Sequence, residues 1–233
     1  MNDGLELALK VVMAVATGYF MGALPFAQTA SRVRGVDVFT TGSTLAGTAN
    51  VFFNVGHRTG ALVFAGDVAK GACAVLAAWA LGVPPALMLV AGGAAVVGHW
   101  KSIFTGFRGG DGMAPLMGVS LALIPALSVL GVAAGLATIV LMRHSVLRST
   151  WGISVCFLVM LTMSQYYQIE RDLVSGVVVL ASLVLLRSMF TRRRRLHVAS
   201  LPVYRDTEED DLEEQEGLDA DPDADLGHAT SRR

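Results

Sequence analysis

The chain has 233 residues, of which 53% are hydrophobic and 16% charged, with two cysteines isolated in apolar runs at Cys73 and Cys156. Soluble globular domains carry about 25% charged residues, so this composition, with a mean hydropathy of +0.56, excludes a soluble enzyme, a disulfide scaffold and a nucleic-acid-binding domain. The cysteines form no CxxC or Cys/His spacing, so no metal site is expected. The net charge of −1 is a cancellation: residues 1–190 carry 11 Lys and Arg against 7 Asp and Glu, and residues 191–233 carry 7 against 12.

A hydrocarbon core about 30 Å thick takes roughly 20 apolar residues per helix. Segments 8–28, 61–82, 84–99, 151–167 and 172–190 meet or approach that length. The run 114–142 is too long for one span, and Pro125 removes a helical hydrogen bond within it, so it splits into two short helices. The chain is therefore expected to be an all-α polytopic membrane protein with about seven transmembrane helices. The first segment is flanked by Asp3 and Glu6, with only Lys10 basic. Its apolar run is longer than that of a cleaved signal, so it is read as a retained helix.

Lys and Arg collect in cytoplasmic loops. Here they fall in alternate loops: Arg32, Arg34 and Arg58, then Lys101 and Arg108, then Arg143 and Arg148, then Arg192 to Arg195. That alternation predicts the N-terminus outside and the C-terminus inside. The chain then has two regions: a membrane domain over 1–190, and a basic-then-acidic cytoplasmic tail over 191–233. The tail has too few apolar residues to build a core and is expected to be disordered.

Three stretches interrupt the apolar pattern, all on the expected cytoplasmic side. The first, residues 36–50, is dense in glycine and hydroxyls, including Gly42, Ser43, Gly47 and Asn50. Such a loop brings backbone N–H groups close to an anion, or merely joins two helices, and Asn50 with Val51-Phe52-Phe53 is placed to open a helix. The second, Gly66 to Gly71, puts Asp67 and Lys70 three apart on one helical face. They either neutralise each other or offer the lysine to a phosphate. The third, Gly98 to Gly112, holds His99, Lys101, Arg108 and the Gly109-Gly110 pair. Arg108 and the paired glycine amides suit a phosphate, and His99 suits a general base; a basic interfacial loop anchored by Trp100 is the plainer account.

The order of these stretches resembles one family, the PlsY-type acyl-phosphate:glycerol-3-phosphate acyltransferases of bacterial membranes. The family's GSIPF, GIDIR and GSGNIGATN elements have counterparts in Gly22 to Phe26, Gly35 to Phe39 and the run GSTLAGTAN from Gly42 to Asn50. Its GDxxKG element is present as Gly66, Asp67, Lys70 and Gly71. Its GHxFPVFxxFKGGKG element is GHWKSIFTGFRGGDG from Gly98 to Gly112. The resemblance covers about residues 18–190, with the C-terminal His-Arg-x-Asn element matched loosely by the stretch from Arg187. Four departures bear on charge and polarity, Phe39 for arginine, Leu45 for asparagine, Trp100 for asparagine and Asp111 for lysine, and the Ala-Thr pair before the final Asn is inverted to Thr48-Ala49.

The resemblance implies a membrane enzyme that transfers an acyl group from acyl phosphate to glycerol 3-phosphate. The product is lysophosphatidate for phospholipid synthesis, made in the bacterial inner or plasma membrane without metal, cofactor or covalent acyl-enzyme. Catalysis by positioning and charge stabilisation suffices for so activated a donor. Ser43 and His99 are the expected catalytic residues, and Gly42, Gly47, Asn50, Lys70, Arg108, Gly109 and Gly110 the expected substrate and phosphate ligands. Glycerol 3-phosphate, acyl phosphate and membrane lipid are the expected partners, with no nucleic acid and an unassigned oligomeric state. The four departures raise a second reading, a silent paralogue that binds lipid or a partner enzyme. On this reading of the charges, Phe39→Arg with Asp111→Lys strengthens binding of glycerol 3-phosphate. A small-solute transporter is disfavoured because the helical pattern shows no paired halves.

Overall fold

A computed structural model describes residues 3–145, 148–168 and 171–199. The described chain is helical: α1 (Asp3–Ala23), α2 (Phe26–Val33), α3 (Thr48–Asn54), α4 (His57–Ala80), α5 (Pro85–Trp100), α6 (Met113–Leu123), α7 (Pro125–Leu141), α8 (Arg148–Tyr167) and α9 (Arg171–Ala199). Four stretches among the described residues, Asp3–Val33, His57–Ala80, Pro85–Thr105 and Arg171–Thr191, are long and apolar enough to cross a membrane. The predicted break at Pro125 is present. That proline opens α7, where its missing N–H costs nothing, and α6 ends at Leu123.

Two boundaries differ from expectation. The segment expected to run unbroken over 8–28 stops at Ala23 and restarts at Phe26, because Pro25 interrupts the hydrogen-bond ladder. Helix α9 passes the expected boundary at residue 190 and continues through the arginine run to Ala199, consistent with the good helix propensity of arginine. The chain divides into two units after Arg187, and the helix packing and the site belong to the first of them. The acidic tail from residue 200 lies outside the described residues.

The helices pack through small residues, as expected where lipid supplies no hydrophobic force and close van der Waals contact must hold them. Gly18 and Gly22 of α1 press on the backbone of Ala91 and Ala95 in α5, leaving no room for a Cβ. Gly71 of α4 faces Pro115, and Gly118 of α6 faces Val68, in the same manner. The run Gly92 to Ala95 therefore packs within this chain: Ala95 meets α1, and Gly92 meets Val119 of α6. A core of Ala14, Val75, Met88, Ala91, Val119, Ile124, Met160 and Val177 joins α1 and α4 through α9. A second core, with Ala27, Val38, Phe39, Ala46, Val51 and Val63, fixes the loop before α3 against α2 and α4.

Candidate functional site

The site is built on the broken end of α1. A helix end leaves its last carbonyls without intrahelical partners, and Pro25 creates such an end inside the protein. The Ala23 carbonyl accepts a hydrogen bond from Ser102 Oγ at 2.5 Å, and the Leu24 carbonyl accepts one from Lys70 Nζ at 2.9 Å. Tyr19 of α1 also donates to the Lys101 carbonyl at 2.8 Å. The end of α1 thus ties the middle of α4 to the end of α5.

Asp67, Lys70 and His99 are 1%, 4% and 5% exposed, so their charges and protons must be satisfied by the protein or by a ligand. Lys70 Nζ lies 2.8 Å from Asp67 Oδ1 and 3.2 Å from His99 Nδ1. Together with the Leu24 carbonyl, these partners match the three protons of the ammonium group. A lysine donating to Nδ1 makes that nitrogen the acceptor, which assigns the imidazole proton to Nε2. Asp67 Oδ2 has no hydrogen-bond partner among the described residues.

These three side chains line one small cavity, of about 20 Å³, with Ala46, Ser102, Thr105, Arg108 and Gly109. Arg108 is exposed at its rim, with its guanidinium 4.2 Å from the centre of the Phe39 ring and Nη2 donating to the Phe39 carbonyl at 3.3 Å. Thr105 Oγ1 donates to the Arg108 carbonyl. Gly110 is buried against His99 Nε2 and the Ala46 carbonyl, with no space for a side chain. Its N–H donates to the His99 carbonyl at 3.2 Å.

Of the residues singled out from sequence, Lys70, His99, Arg108, Gly109 and Gly110 therefore meet. Lys70 lies deep within α4, which begins at His57, on one helical face with Asp67 as expected. The glycine-rich loop contributes Ala46 to the cavity, while Ser43 is exposed and gives its N–H to Asn50 Oδ1 at 3.2 Å. Asn50 is the knot of that loop: its Nδ2 contacts the carbonyls of Val38, Thr41 and Leu45, each at 3.0 Å. Gly42 adopts φ +57, and a Cβ there would strike the side chains of Asn50 and Asn54. Gly47 is the buried residue from which α3 starts, so the expected helix at Asn50 is present one turn around it.

Sequence reasoning missed three contributors. Leu24 acts through its carbonyl, for which Pro25 was the available signal. Phe39 is a buried platform for Arg108, which only the fold brings across 69 residues. Arg187 reaches Gly110 across 77 residues. The charge-restoring pair Phe39→Arg and Asp111→Lys also loses its rationale. Phe39 is 6% exposed within the second core and stacks on Arg108, so an arginine there sets two guanidinium groups against each other. The Asp111 carboxylate accepts from the N–H of Met113, the first residue of α6, at 3.1 Å. Burial pushes the Asp111 carboxyl above the ordinary carboxylate range, against the pull of that N–H and of Arg187.

An all-helical scaffold of membrane-length apolar helices, with two cations and an imidazole gathered beside a glycine pair, has the character of an integral membrane protein with a polar site. The family model for glycerol-3-phosphate acyltransferase matches residues 12–197. A glycerol-3-phosphate acyltransferase from Roseiflexus sp. (strain RS-1) is 39% identical over 145 residues, 62% of this chain and 71% of that protein. One from Rubrobacter xylanophilus is 44% identical over 114 residues, 49% of this chain and 57% of the other. One from Thermosipho melanesiensis is 40% identical over 117 residues, 50% and 58% respectively. The last two matches span less than two thirds of those relatives. The fold is similar to the crystal structure of PlsY (YgiH), an integral membrane glycerol 3-phosphate acyltransferase, in its glycerol 3-phosphate form. The TM-score is 0.67 at 24% identity, over 80% of this chain and 92% of that one. The lysophosphatidic acid form of the same protein gives a TM-score of 0.66. The chain belongs to the glycerol-3-phosphate acyltransferase family and is a membrane acyltransferase of that type.

Proposed function

We propose that the chain transfers the acyl group of an acyl phosphate to a hydroxyl of glycerol 3-phosphate, in the cytoplasmic membrane of a bacterium. One carbon–oxygen bond forms to the glycerol hydroxyl as the carbonyl–phosphate bond breaks. The products are lysophosphatidate and inorganic phosphate, and the hydroxyl proton leaves on the departing phosphate. The observation that carries this reading is the convergence of Lys70, His99, Arg108 and Gly109 on one cavity from separate segments.

Arg108 and the Gly109 backbone hold a phosphate at the rim, where guanidinium offers a planar fork to its oxygens. The Gly110 N–H, expected to join them, is instead given to the His99 carbonyl. Lys70 adds its charge from below while fixing His99. Because Nδ1 faces the ammonium group, His99 acts through Nε2–H, as a donor that orients the reacting oxygens and stabilises charge developing on them. That refines the expectation of a general base. Ser43 and Gly42 sit on the loop beside the site, Asn50 holds that loop in shape, and Gly47 anchors its return into α3. The Ser43 hydroxyl, exposed on this loop, is assigned to the substrate.

The test is purified protein in lipid, given labelled glycerol 3-phosphate with acyl phosphate, acyl-coenzyme A or acyl carrier protein in parallel. Lysophosphatidate is expected with acyl phosphate. Its formation only from a thioester would overturn the donor assignment, and its absence with all three would overturn the enzyme reading. His99→Asn is expected to lower kcat by roughly 10²-fold with little change in KM for glycerol 3-phosphate.

A further inference from the structure

We propose that Arg187 is a positioning residue that clamps the Gly110–Gly112 backbone against His99, a role that rests on the acyltransferase reading. The clamp is built from two of the positions that depart from the family's pattern, Trp100 and Asp111. Trp100 Nε1 donates to the Asp111 carbonyl at 2.7 Å. The Arg187 guanidinium lies 4.7 Å from the centre of the Trp100 ring, and Nη1 donates to the Gly110 carbonyl at 3.0 Å. The Asp111 carboxylate attracts the same guanidinium. Arg187 therefore meets the Trp100 face and the Gly110 carbonyl, with the Asp111 charge drawing on it, and each favours guanidinium over an uncharged group.

The reason that backbone matters is its other side. Gly110 abuts His99 Nε2 and the Ala46 carbonyl so closely that no Cβ fits, and Gly112 abuts Trp100 Nε1 likewise. The distance from Gly110 to the imidazole thus sets the space into which Nε2–H points. Arg187 fixes that distance from α9, whose Ala181 and Val184 pack against Val96 and Leu116 in α5 and α6. A small displacement of a catalytic group costs turnover steeply, because the reacting atoms must already be aligned. With a lysine absent at position 111, the cation at this point of the site comes from α9 instead.

The experiment compares wild type, Arg187→Met and Trp100→Leu in lipid, by hydrogen exchange over residues 108–114 and by kinetics. Trp100→Leu removes the stacking face without altering α9, so it stands in if the arginine variant fails to insert. Exchange over 108–114 is expected to quicken on the order of tenfold in either variant, the loss of one hydrogen bond to a charged group. Turnover is expected to fall at least about tenfold with KM for glycerol 3-phosphate nearly unchanged. In a His99→Asn background, Arg187→Met is expected to have no further effect on kcat, since it acts through the imidazole. Additive losses in that double variant, or exchange equal to wild type, would overturn the clamp. If wild type makes no lysophosphatidate from any donor, the acyltransferase reading falls, and the exchange measurement still decides for or against the clamp.

Discussion

Among the described residues two arginines rest on aromatic rings, Arg108 on Phe39 and Arg187 on Trp100, and both rings stand where the family's pattern has a polar residue. The rings replace donors with surfaces that orient a neighbouring cation. In the proposed site Arg108 keeps its outward edge for substrate, because its face and one Nη are held by Phe39. Phe39→Arg with Asp111→Lys is accordingly expected to weaken glycerol 3-phosphate binding by about tenfold or more, through like-charge crowding and a lost hydrogen bond to the first N–H of α6. Isothermal titration on the lipid-reconstituted variant checks this, and tighter binding would show that charge count, not orientation, limits the site. These contacts were invisible in the sequence because Phe39 and Arg108 belong to different loops. The charges themselves were legible: spacing puts Asp67 and Lys70 on one face, and they pair at 2.8 Å.

At the scale of elements, close approach of helices governs what the site can be. The α4–α6 contact brings Gly71 and Gly118 against opposing backbone, and α4 carries Asp67 and Lys70 through that same contact. Gly118→Val forces a side chain into the Val68 carbonyl, which only a backbone shift relieves. A loss of roughly 1–3 kcal/mol in stability is expected from such overpacking. Gly4→Val, at a position with nothing within 4 Å, serves as the control. Thermal unfolding in detergent compares the two, and equal midpoints would mean the helices separate there without penalty. The helix breaks at Pro25 and Pro125 matter differently. Pro125 was legible because it interrupts a run too long for one span, and α6 and α7 flank it. Pro25 is masked because the apolar pattern continues across it, although that break frees the carbonyls that hold Ser102 and Lys70.

At the scale of the whole molecule, we propose from the alternation of basic loops that Ser43 and the site lie on the inner face of the membrane, with the N-terminus outside. A Ser43→Cys variant in intact cells is expected to resist a membrane-impermeant thiol reagent, and Asn2→Cys to react with it. Ready labelling at position 43 would invert the topology and place the substrate site outside. The membrane class, the approximate helices and the family were determined by the sequence by itself. Hydropathy and the order of short motifs are local properties that do not depend on which helices become neighbours. The tertiary structure alone decided the partners of each polar group: that Lys70 faces His99 across 29 residues, that Asn50 ties its own loop, and that Arg187 reaches Gly110. The physical reason is burial. Removed from water, each buried donor and acceptor must find a partner within the fold, and which partner lies within about 3 Å is a property of helix packing that spacing along the chain does not encode.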